Sequence, residues 1–120
     1  MCLQDLVYGV AIAIPSAPTK VPLILLRYIR QHAKDRVHFW PFDGWSIPPN
    51  CSVVAEVYPA LWSGTFPTAG RTPDQQDAFA TAEWLRRADG DGSLGRFLCP
   101  ELEPDERRVA EVKGWILGVA

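Results

Sequence analysis

A chain of 120 residues, 48% hydrophobic and 22% charged, has the length and composition of one ordinary globular domain, which excludes fibrous and disordered classes. Its formal net charge of -2 and isoelectric point near 5.6 provide no global basic field, so any contact with nucleic acid must be local. No apolar run reaches the roughly 18 residues that a membrane span needs, and the opening lacks the basic region and cleavage site of a signal peptide; the reading is a cytoplasmic protein with no membrane partner.

Residues 6–14 are apolar, with Val7, Val10, Ile12 and Ile14 among them, and run into Pro15-Ser16-Ala17-Pro18, which predicts a buried strand closed by a loop. Over residues 21–34 the positions Pro22, Leu25, Leu26, Ile29 and Ala33 follow the helical period while Arg27, Arg30, Gln31 and Lys34 fall largely on the other side. This is an amphipathic helix, and its basic side reads as solvated surface. Residues 37–40 form a short strand before Pro41-Phe42-Asp43-Gly44, where Asp-Gly favours a tight turn. The aromatic run Phe39, Trp40, Phe42 and Trp45 has the chemistry to stack on bases, but in so small a chain it reads as core and turn packing. Residues 51–58 make the best strand, with Val53, Val54 and Val57 supplying β-branched bulk, Glu56 near the carboxyl end and Pro59 as the stop.

Thr72 is a good N-cap, Pro73 suits the first helical position and Gln75 stands where a capping box wants Glu or Gln, so a helix is expected over residues 73–88. Asp74 and Asp77 lie about 60° apart around its axis and one turn apart along it. By itself this D-x-x-D is most simply a dipole-complementing Asp74 and a solvated Asp77. Asp89-Gly90-Asp91-Gly92 lacks the ligand ladder of a calcium loop and reads as a turn. A last helix begins near Pro104, with Val109, Val112 and Ile116 on one face and Gly114 as a kink or an end. The cysteines, Cys2, Cys51 and Cys99, are odd in number and without C-x-x-C spacing, which argues against a disulfide framework or zinc site and for a reducing compartment.

The order strand, helix, strand, strand, helix, helix predicts an α/β fold on a small mixed sheet packed with helices. Three strands leave an exposed edge, which predicts a homodimer or larger homo-oligomer. Glu56 at a strand end, joined to Asp74 and Asp77, would make an oxygen-rich site suited to Mg²⁺ or Mn²⁺ and, through those ions, to phosphodiester hydrolysis. A Ser/His/Asp hydrolase is disfavoured, because no serine lies in a G-x-S-x-G context, and there is no glycine-rich phosphate loop.

Four blocks carry a resemblance: His38-Phe39-Trp40-Pro41-Phe42-Asp43-Gly44-Trp45, Glu56-Val57-Tyr58-Pro59-Ala60, Asp74 through Ala80, and Gly114-Trp115-Ile116-Leu117-Gly118. Together they span about the last two-thirds of the chain, which resembles the carboxyl-terminal part of the predicted RNase H-like nucleases catalogued as a domain of unknown function. The resemblance implies a partial RNase H-like α/β domain over residues 1–120, with Glu56, Asp74 and Asp77 as catalytic metal ligands, Mg²⁺ or Mn²⁺ as cofactor and nucleic acid as partner. It also implies an amino-terminal hairpin bearing a further Asp, for which the sequence before Val37 is too short; the opening strand has alanines where that acid would stand. The competing expectation is a non-catalytic, oligomeric interaction module or truncated remnant, with the same carboxylates solvated.

Overall fold

The computed structural model describes residues 11–15 and 20–119. The sheet is organised by β3 (Ser52–Val57), whose Val53, Val54, Ala55 and Val57 are all buried, as a strand covered on both faces requires. β1 (Ala11–Pro15) pairs with it in parallel along its length, Ala11 opposite Val53 and Pro15 opposite Val57. On the other side, β2 (Val37–Phe39) pairs with the amino half of β3, and β4 (Ile116–Leu117) with the carboxyl half, Glu56 standing opposite Ile116. All of these pairings are parallel, not mixed, because the connection over residues 40–51 carries the chain back to the end of the sheet where β2 began. The part of the expected first strand before Ala11 lies outside the described residues.

Between β1 and β2 runs α1 (Lys20–His32); after β3 come α2 (Pro73–Gly90), α3 (Leu94–Leu98) and α4 (Pro104–Lys113). The expected final helix stops sooner than the spacing of Val109, Val112 and Ile116 suggested. Gly114, at φ 94°, caps α4 with its N–H on the Ala110 carbonyl, and Ile116 passes into β4. A two-residue strand carries no periodicity of its own to read.

The main core joins Val53, Ala55 and Val57 of β3 to Ala80 of α2, Leu98 of α3, Ala110 of α4 and Leu117 of β4. Successive strand residues point to opposite faces, so Ser52, Val54 and Glu56 look to the other side. The aromatic block after β2 mostly enters the core: Trp40 donates its indole N–H to the Leu98 carbonyl (3.0 Å) and meets Trp45 edge to face at 5.4 Å. The block is closed by Asp43, whose carboxylate accepts from the Phe39 N–H (2.8 Å), and by buried His38, whose Nε2 lies 2.8 Å from the Gly44 carbonyl. A carbonyl only accepts, so that nitrogen carries the proton. Arg30 ties α1 to the same turn, bonding Asp43 Oδ1 (3.0 Å) and lying over the Phe39 ring.

Cys99 is disulfide-bonded, contrary to the inference from cysteine count and spacing, whereas Cys51 is a free, buried thiol; Cys2 lies outside the described residues. The argument from cysteines to a reducing compartment therefore falls away. Among the described residues no helix is long and apolar enough to cross a membrane.

Candidate functional site

Glu56 is the penultimate residue of a central parallel strand, at the end of the sheet where open α/β folds place their ligands. Its carboxylate is half-buried and takes part in no hydrogen bond or salt bridge among the described residues. It borders an open cleft of about 240 Å³, lined also by Lys113, Gly114, Trp115, Ile116 and Val119. Trp115 is fixed there by its indole N–H, which donates to the Val119 carbonyl at 3.2 Å.

Gly114 explains how the cleft stays open. A Cβ at this position would stand 2.9 Å from the Phe42 ring and 3.6 Å from Glu56 Oε2, and the positive φ disfavours any other residue. The glycine thus lets an outward-facing aromatic ring, a carboxylate and the end of α4 meet. α4 also brings the negative end of its dipole to this place, where a cation is favoured. Lys113 lines the cleft without forming a salt bridge to Glu56 or to any other described residue.

The turn holding Asp74 and Asp77 is of a different kind. The capping box is complete: Thr72 Oγ1 accepts from the Gln75 N–H (3.3 Å), and Gln75 Oε1 accepts from the Thr72 N–H (3.0 Å). Between the two acids lies Gln76, which is buried. Its amide donates to the Ser63 and Phe66 carbonyls (3.0 and 2.9 Å) and accepts from Arg71 (3.4 Å), which itself lies 3.5 Å over the Phe79 ring. Asp74 faces solvent and Asp77 is half-exposed, its backbone carbonyl accepting from the Thr81 hydroxyl. The turn therefore clamps the loop before α2 to the helix.

The three expected ligands are not gathered. Among the described residues no group of three or more His, Cys, Asp or Glu side chains could hold a metal ion. The alternation of β3 gives the reason, since Glu56 faces away from the side on which Ala80 of α2 packs against Val53, Ala55 and Val57. Sequence reasoning passed over Gln76, and it read Phe42 as packing and Gly114 as a helix stop, not as neighbours of Glu56. For Gln76 the signal was present in its four-residue spacing with Ala80, Trp84 and Ala88, the inward stripe of α2.

Compared with protein-family models, curated proteins and solved structures, the chain finds no match.

Proposed function

We propose that this protein is an RNase H-like α/β domain that acts on nucleic acid at the Glu56 cleft, with Mg²⁺ or Mn²⁺ assisting phosphodiester hydrolysis. The observation that carries the reading is the half-buried carboxylate without a partner among the described residues, at the carboxyl end of the central parallel strand and beside the negative end of α4. The four sequence blocks of the resemblance support it, and two of them, around Glu56 and Gly114, supply residues of this cleft.

Glu56 suits a hard divalent cation, and such ions are commonly held by one or two carboxylates together with waters and substrate phosphate oxygens. A cation there would neutralise charge on a phosphodiester. Lys113 offers an ammonium to the same phosphate, and Phe42, 49% exposed, a ring on which a base can stack. Asp74 and Asp77 do not fit as completing ligands, for the described residues form no three-member set, and no hydrolytic step is derived through them.

The test assays cleavage of branched, single-stranded and RNA–DNA hybrid substrates with Mg²⁺ or Mn²⁺, alongside metal-dependent melting. The expected result is metal-dependent cleavage and a metal-dependent rise in melting temperature, both lost in Glu56→Gln. Neither effect in the parent protein overturns the reading.

A second reading, an oligomeric interaction module, is favoured by a separate observation: α1 and α4 each present large apolar side chains to solvent.

A further inference from the structure

Two aromatic rings stand exposed at the carboxyl end of the sheet, on backbone that holds them in place. Phe42 is 49% exposed, although Phe39, Trp40 and Trp45 of the same block are buried. Its turn is pinned by the Asp43 N–H on the Phe39 carbonyl (2.8 Å), by the Gly44 N–H on the Pro41 carbonyl (2.9 Å) and by the ion pair of Asp43 with Arg30. Tyr58, 48% exposed, follows β3 directly; Pro59 comes next, and the Leu61 N–H donates to the Tyr58 carbonyl at 3.0 Å.

Both rings belong to the neighbourhood of Glu56. Phe42 Cζ and Glu56 Oε2 lie 2.9 and 3.6 Å from the one point where a Gly114 Cβ would stand. Tyr58 has extended backbone (φ -118°, ψ 94°), so the alternation of β3 continues through it. Its side chain therefore leaves on the same face as that of Glu56, about 7 Å further along. The cleft itself, about 240 Å³, is smaller than the roughly 300–1,000 Å³ of ordinary small-molecule sites. A recess of that size admits one nucleotide, not the paired and stacked bases of a duplex.

We infer that the strand bound at the Glu56 cleft is single-stranded nucleic acid, with one base stacked on Phe42 and a neighbouring base on Tyr58. The inference rests on the nucleic-acid reading of this cleft and adds to it the form of the substrate. A base can lie on a side-chain ring only when its own face is free, and inside a duplex both faces are covered by neighbouring pairs. Stacking needs no particular base, so strands of any sequence fit. Lys113 is the one cation lining the cleft, and its long stem lets the ammonium follow a phosphate. A chain of net charge -2 has no broad basic field with which to grip a duplex backbone, so the rings carry the affinity more than charge does.

Fluorescence anisotropy on the Glu56→Gln protein in metal-free buffer tests the inference, because binding is then read without metal and without cleavage. The probes are a short labelled strand of mixed sequence and the same strand paired in a duplex. The single strand is expected to bind more tightly than the duplex. Phe42→Leu and Tyr58→Leu, added singly, remove a ring and keep apolar bulk at an exposed position, so the melting temperature should stay that of the host. Each should weaken single-strand binding about tenfold. Tyr58→Phe keeps the ring and should keep the affinity. Equal binding of strand and duplex, binding of neither, or single-strand affinity unchanged by loss of either ring overturns the inference. Self-association of the host that Phe42→Leu abolishes, with no strand bound, assigns the rings to a second copy of this chain and overturns it too. The two readings fail separately: single-strand binding by a parent without metal-dependent cleavage removes the hydrolysis and keeps the strand, whereas cleavage of duplexes unaffected by the ring variants does the reverse.

Discussion

The first turn of α2 and the carboxyl end of β3 both present acidic side chains, and they differ in what surrounds them. At α2 the buried polar group, Gln76, is matched by two carbonyls and an arginine, and the acids on either side of it reach toward solvent. At β3 the half-buried group is the acid itself, and the described residues leave it without a hydrogen bond. Satisfied polar groups hold a fold together, whereas a partly buried charge without a partner costs stability and leaves its oxygens available. The better-formed motif is thus the structural one.

This contrast can be broken by mutation. The largest effect is expected from Gln76→Leu, which removes the donor of two carbonyls and leaves them in a part-buried loop; it should lower unfolding free energy by about 2–3 kcal/mol in urea titrations. Next is Gly114→Ala, whose methyl meets the Phe42 ring on a backbone with positive φ; a loss of about 1–3 kcal/mol is expected, together with weaker ligand binding in the cleft. The double change Asp74→Asn and Asp77→Asn should move stability by about 0.5–1 kcal/mol at most, through the helix dipole. A loss as large as that of Gln76→Leu would show that the acids, not the glutamine, hold the turn. Glu56→Gln should leave stability unchanged or raise it slightly while removing the metal effect.

The smallest effect concerns Glu83, whose carboxylate accepts from Arg86 and Arg87 and is held down to a pKa of about 2. A lowered carboxylate pKa contributes stability that is present above the unfolded value of 4.5 and lost as pH falls toward about 2. The melting-temperature difference between the parent and Glu83→Gln should therefore shrink over that interval. The effect is small because its partners, Arg86 and Arg87, are exposed to solvent, which screens the pairs.

Much of the fold could be read in advance. The cap of α2 was legible because its signals, Thr72, Pro73 and Gln75, act over one turn, and β3 because three valines and a terminal proline define it locally. The parallel register was not, since pairing depends on where the 40–51 connection returns the chain. The site was legible only in part. Glu56 stood out by its place near a strand end, but which side of the sheet it faces relative to α2 is a matter of tertiary packing, and so Asp74 and Asp77 were assigned to it by sequence alone. Gly114 looked like a helix stop, and it is one; that its missing Cβ also makes room for Phe42 beside Glu56 follows from residues far apart in the chain.

Titration of Mn²⁺ into the protein, followed by paramagnetic broadening of backbone amide resonances, addresses the Glu56 cleft most directly. A site there predicts that residues 56 and 113–116 broaden first, that Glu56→Gln removes the effect, and that residues 73–78 broaden no more than the rest of the surface. Selective broadening of residues 73–78, or selective broadening nowhere, would contradict it.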